Sequence, residues 1–341
     1  MKRIDIRSKQ CGFTLVELLI AIALGIIVLA VIFSTFKSQQ SSYSIQNQIS
    51  MTQQNLRAAL YVITRDIQMA GYYTNLTDRQ YSSDWDNNPA TADVAIRPLM
   101  YLVNDASGVP GVKNGTDIFV IIKASDRHRE LVFGESATAG DSSTADLSLT
   151  TWEKNGDTKP PRDLDGDGNG NDLSYYSGAG HPKYGLLVKK DLSRAEVFEV
   201  DSNNNFIFKS GLVENYDEGD SIYKLDVIMY IIDNSDPAHP SLSKRNLGTD
   251  NSFSLVAEDV DNLQFEFILK DGSTVKNLDT LNNIPLIRAV KVYILARSEN
   301  TINGHTDAST YKMGSADNYK PADGYIRRLL SATIQTRNTG D

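Results

Sequence analysis

The stretch from Gly12 to Phe33, GFTLVELLIAIALGIIVLAVIF, constrains this chain more than any other. From Leu18 to Phe33 every residue is apolar apart from Gly25, and Phe13 to Val16 extend the run to roughly 20 residues, enough for a helix to cross a bilayer core. Only Glu17 breaks the pattern, a few residues inside the run. An ionised carboxylate is costly at membrane depth, so an acid there points to function unless its side chain reaches back to the headgroups.

The residues in front of the run set its orientation. Lys2, Arg3, Arg7 and Lys9 face a single acid, Asp5, and positive charge before a first span keeps that side cytoplasmic. A secretory signal would place its small-residue cleavage site after the apolar region. Here the small-residue junction, Gly12 before Phe13, precedes it, so cleavage would remove the charged leader and keep the helix. A basic leader, a glycine junction, the aromatic Phe13, then Thr14, Leu15, Val16 and Glu17 together resemble a type IV prepilin. The resemblance implies that a prepilin peptidase cuts between Gly12 and Phe13 and that the new N-terminus is methylated. It also implies that Glu17 is an assembly residue, pairing with a subunit's N-terminal amine in the filament. Such pairing would account for the acid, because removing either partner leaves a buried charge uncompensated.

The chain has 341 residues, of which about 270 follow the first long helix, enough for one large or two small domains with a real core. Its net charge of −9 and the absence of a basic patch interleaved with aromatics disfavour nucleic-acid binding. The single cysteine, Cys11, lies in the leader, so the processed chain would hold neither a disulfide nor a catalytic thiol.

Beyond the membrane segment the helical pattern persists. Ile45, Ile49, Leu56, Leu60, Ile63 and Ile67 recur at helical spacing, no proline occurs before Pro89, and Gly71 is placed to cap the end. One helix from about Phe13 to Ala70 would be on the order of 85 Å long. Its stripe is too short for a clear coiled coil and predicts packing against a head. After loops with short strands from Tyr72 to about Gly115, strand signals accumulate: DIFVIIKA, ELVF, YGLLVKK, AEVFEV, NFIF, SIYKLDVIMYIID, SFSLVAEDVDNLQFEFIL, IRAVKVYILARS and YIRRLLSATIQTRN. The expected fold is therefore α+β, a long helix packed on a mainly antiparallel head. The expected segments are a leader (1–12), a membrane or filament-core half-helix (13–36), an amphipathic half-helix (37–70) and a β-rich head (71–341).

Three of these downstream segments narrow the resemblance. LYVITRDIQMAGYY from Leu60, SLVAEDVDNLQFEFIL and IRAVKVYILARS are similar to minor pilins of the PilW kind and to the related J-type pseudopilins of type II secretion; the large head favours the former. The PilW-type resemblance implies a structural subunit for pilus initiation or the pilus tip. Its implied partners are the prepilin peptidase and methyltransferase, other minor and major pilins, and the inner-membrane assembly platform. It would rest in the inner membrane with its head periplasmic and then enter a surface pilus, with consequences for motility and adhesion.

RDLDGDGNGNDLS, from Arg162, is the one stretch with metal-ligand spacing. Asp163, Asp165 and Asp167 alternate before Gly168, with Asn169, Asn171 and Asp172 to follow, which is the first half of a calcium loop. Ser174 stands where an EF-hand requires glutamate, and Pro160 and Pro161 oppose a helix leading in. A weak extracellular calcium site and a solvated Asp/Gly turn therefore both fit. His128, His181, His239 and His305 are scattered, and no nucleophile elbow, P-loop or dinucleotide fingerprint occurs. The chain reads as a non-enzymatic subunit, with a membrane-tethered periplasmic binding domain or enzyme as the alternative of a different class.

Overall fold

The computed structural model of the chain describes residues 14–74, 100–130, 143–144, 152–154, 157–159, 184–200, 206–207, 212–250, 252–276, 286–314 and 318–338. A single helix, α1 (Leu15–Met69), opens it, and the first turn after it contains Gly71 at φ 77, the left-handed conformation that glycine adopts without steric cost. The chain divides into two compact units, Met1–Ser50 and Met51–Asp341. In the first, every large apolar side chain from Leu15 to Phe33 is more than half exposed, and the helix is long and apolar enough to cross a membrane.

The second unit holds the end of α1 and the strands. These are β1 (Met100–Ala106), β2 (Thr116–Glu130), β3 (Ser143–Thr144), β4 (Trp152–Lys154), β5 (Asp157–Lys159), β6 (Tyr184–Val188), β7 (Ala195–Val200) and β8 (Phe206–Ile207). There follow β9 (Ser221–Asp233), β10 (Ser241–Asn246), β11 (Ser254–Ala257), β12 (Val260–Leu269), β13 (Thr274–Val275), β14 (Ile287–Arg297) and β15 (Arg327–Gln335). The first sheet runs β1-β2-β9-β6-β7-β8-β3, with β10 beside β9 and β11 beside β10; the second runs β13-β12-β14-β15, and β4 pairs with β5. All of these pairings are antiparallel.

Two strand expectations are corrected. The strand expected at DIFVIIKA does not end at Ala124: β2 continues to Glu130 through register shifts between Ala124 and Arg127 and between Arg127 and Arg129, while residues 131–133 of ELVF lie outside the described residues. Conversely SFSLVAEDVDNLQFEFIL is two strands, because Asp259 takes φ 55 and turns the chain between β11 and β12.

The main core lies where one stripe of α1 meets both sheets. Leu56, Ala59, Ile63 and Ile67 pack with Phe119 and Ile121 of β2, Ile228 and Ile232 of β9, Phe265 and Phe267 of β12 and Val292 and Ile294 of β14. The rings of Phe119 and Phe265 stack at 4.2 Å across the junction of the sheets. The stripe differs from the one expected: Thr52, Ala59 and Asp66 are buried with it, while Leu60 is only half-buried. A second core covers the other face of the first sheet, from Ile118, Val120 and Ile122 to Val227 and Met229, and half-buried Tyr72, Tyr73 and Tyr223 form its rim. Those tyrosines are strand and turn residues closing a core, as half-buried aromatics usually are.

Asp66 fixes the helix chemically. It is buried in the apolar core, where its Oδ1 accepts from Lys123 Nζ at 2.9 Å and its Oδ2 accepts from the Tyr230 hydroxyl. Burial first and the adjacent carboxylate second push the Tyr230 phenol far above its ordinary range, so it stays a donor at every physiological pH. Nearer the start of this unit, Thr52 Oγ1 donates to the Arg297 carbonyl and Asn55 Nδ2 to the Glu258 carbonyl, each at 3.2 Å. Asp66→Ala would strand a part-buried ammonium and a buried hydroxyl, and is expected to destabilise the fold by roughly 3 kcal/mol. Tyr230→Phe, which leaves the ion pair intact, should cost about 1 kcal/mol. Thermal melting of the detergent-solubilised full chain tests both, and equal losses in the two variants would contradict the ranking.

Candidate functional site

Thr14 and Glu17 form a closed motif at the start of α1. Thr14 precedes the first helical residue, and Glu17 is the third residue of the helix. Glu17 Oε2 accepts from the Thr14 backbone N–H and from Thr14 Oγ1, both at 3.0 Å, while the Glu17 N–H donates back to Thr14 Oγ1 at 3.3 Å. This is a capping box, in which two groups that a helix start would leave unpaired satisfy each other. The sequence reading gives Glu17 no partner in its own chain, yet the spacing Thr14-x-x-Glu17 is the signature of such a box. Only Oε2 is engaged among the described residues, so the carboxylate keeps a free oxygen. Gly12 and Phe13, the expected processing junction, lie outside the described residues, as do Asp163, Asp165, Asp167, Asn169, Asn171 and Asp172 of the Asp-rich loop.

In the second unit the polar groups serve to join elements. The turn from Lys113 to Asp117 docks on β12: Lys113 pairs with Asp261, Gly115 O accepts from Gln264 Nε2 at 3.1 Å, and Asp117 Oδ2 accepts the Phe265 N–H at 2.8 Å. The other oxygen of Asp117 takes the Asp105 N–H at 2.9 Å. Asp117 is fully buried, and burial pushes its carboxyl up to about 7, against the two backbone donors that favour the charged form.

Asp261 also accepts from Arg327 Nε at 2.6 Å and from the Tyr319 hydroxyl at 3.0 Å. Burial alone would raise its pKa, but Lys113 and Arg327 together hold it below the ordinary carboxylate range. Arg327 stands directly across from Arg297 in the β14–β15 ladder, an arrangement that would repel without acids beside it. Arg327 is held by Asp261, Asp307 and Asp323, and Tyr325 lies beneath both guanidinium groups, 4.3 Å from Arg297 and 5.7 Å from Arg327. This network secures the long β14–β15 connection, whose Met313 is buried against Tyr293 and Leu295 on the outer face of the second sheet. Sequence spacing alone could not have found it, since the groups come from five separate segments. No group of three or more His, Cys, Asp and Glu side chains that could hold a metal occurs among the described residues. His239 sits half exposed with Nδ1 3.0 Å from Asp259 Oδ1, which raises its pKa.

Two family models match the chain. Residues 7–33 match the prokaryotic N-terminal methylation motif, and residues 229–338 match the type IV pilus-assembly protein W family, PilW. Over these two stretches the chain is similar to prepilin-type N-termini and to PilW proteins. The first match spans Glu17 and its cap; the second begins within β9, ends just after β15 and includes the Asp261–Arg327 network apart from Lys113. LYVITRDIQMAGYY, one of the three segments that carried the resemblance, falls outside both matches. Among solved structures, the type IV-like pilin TTHA1219 from Thermus thermophilus is similar at 10% identity and a TM-score of 0.32, over 87% of this chain and 98% of that one. No curated protein matches the chain.

The bonds made by Asp117 give the sheet junction a pH dependence. The unfolded carboxyl titrates near 4 and the folded one at about 7. Between those values the folded state holds the extra proton, so this contribution is fully present below pH ~4 and is lost as pH rises toward ~7. Melting of the full chain at pH 5 and pH 8 should show the more acidic sample gaining relative to Asp117→Asn. Parallel pH curves for the two proteins would refute the assignment, whatever other groups such as His239 contribute.

Proposed function

We propose that this protein is a minor pilin, a structural subunit for initiating a type IV pilus and occupying its tip. Before processing it rests in the inner membrane, leader cytoplasmic and head periplasmic. The prepilin peptidase cuts between Gly12 and Phe13, the new N-terminus is methylated, and α1 carries the subunit into the filament. The observation that carries this reading is Glu17, an acid set at the start of an exposed apolar helix within the matched methylation motif. With one oxygen held by Thr14, the carboxylate has a second oxygen for the amine of an assembling subunit. The amine would replace water as the charge partner once the helix is surrounded by apolar neighbours. The long connection over the second sheet and the size of the head support a place at the end of a filament, where a bulky head meets fewer neighbours.

Mass spectrometry of the N-terminus, from cells with and without the peptidase, tests the processing claim. A chain beginning at methylated Phe13 only when the peptidase is present is the expected outcome, and a persistent leader in both overturns it. Glu17→Ala should insert in the membrane at wild-type levels yet lose at least tenfold in recovery with sheared pili, the scale of losing a partner to a buried charge. Recovery equal to wild type would remove the pairing role.

A further inference from the structure

The outer strands of the two sheets are not equally protected. A free strand edge invites pairing, and proteins blunt it by shortening, bulging or covering it. In the first sheet β1 carries a register shift between Val103 and Ala106, β11 is four residues with a shift of its own, and β3 is two residues; in the second, β13 is also two. By contrast β15 pairs with β14 over nine consecutive residues without a shift, and among the described residues no strand lies on its other side. Ser298 N–H donates to the Ile326 carbonyl and Thr336 N–H to the Arg288 carbonyl, so the even-numbered residues of β15 bond to β14. The odd-numbered Leu329, Ser331, Thr333 and Gln335 therefore turn N–H and C=O to the open edge. On the inner face Ile334 is buried, but Leu330 and Ala332 are only half-buried, leaving the core open beside the strand.

We propose that β15 is a docking edge on which a different pilin-type subunit adds an extended strand. Only an extended segment matches alternating donors and acceptors along one edge. Its inner-row side chains would cover Leu330 and Ala332, and it would bring an acid to Arg328. That arginine is exposed and forms no ion pair among the described residues of this acidic chain. A second copy fits less well: β15, RRLLSATIQ, has two arginines and no acid, so pairing with itself leaves both Arg328 side chains uncompensated. The inference rests on the filament-subunit reading.

The test is photo-crosslinking of the full chain, carrying benzoylphenylalanine at Thr333, in cells with the filament machinery. The expected result is an adduct whose partner, identified by mass spectrometry, is another prepilin-type chain. Ser331→Pro removes an outward N–H without touching the ladder to β14 and should cut the adduct about tenfold or more. Arg328→Glu, an exposed change with no folding cost, should cut it several-fold, and it carries the test if the proline variant melts early. An adduct of two copies, an adduct unchanged in both variants, or none at Thr333 overturns the proposal. If the chain is processed at Phe13 and recovered in pili but gives no adduct, this inference alone fails; an unprocessed chain absent from pili defeats the filament reading as well.

Discussion

Both sheets of the second unit depend on the burial of one helical stripe. Leu56, Ala59, Ile63 and Ile67 supply the surface on which β2 and β9 of the first sheet and β12 and β14 of the second converge. Neither sheet could complete this core without the helix, because each contributes only one apolar face to it. The small Ala59 lets the backbone of α1 come close, and the stacked rings of Phe119 and Phe265 fill the line where the sheets meet.

Burial on this scale limits where polar groups can sit, and the protein uses the ones it buries as fixed joints. Asp66 ties helix to sheet, Asp117 ties sheet to sheet, and Asp261 with Arg327 ties the long β14–β15 connection to both. In a medium of low dielectric each unmatched group would be costly, so only one relative placement of the elements satisfies them together. The same logic governs the start of α1, where Thr14 and Glu17 satisfy each other at a helix end whose backbone N–H groups lack partners within the helix.

Much of this was legible in the residues. The span, the helix through Met69, the left-handed Gly71 and most strands follow from periodicity and turn chemistry, which are local properties. Local reading went astray where the deciding factor was not local. The break at Asp259 lies inside a run with good strand residues, and the apolar pattern of DIFVIIKA gives no warning that β2 continues through the charged residues up to Glu130. Leu60 fits the helical stripe by spacing but sits at its margin, while Asp66, which spacing would send to solvent, is buried because Lys123 and Tyr230 await it.

The sequence by itself determined that an apolar helix carrying a misplaced acid lies near the start of the chain, because hydropathy and charge are read along the chain. Tertiary structure alone decided which carboxylates are buried and what they hold. It also decided which edge strand is left open among the described residues, because partners such as Lys113 and Asp261, or Asp66 and Tyr230, lie far apart in sequence and meet only when the sheets close on the helix.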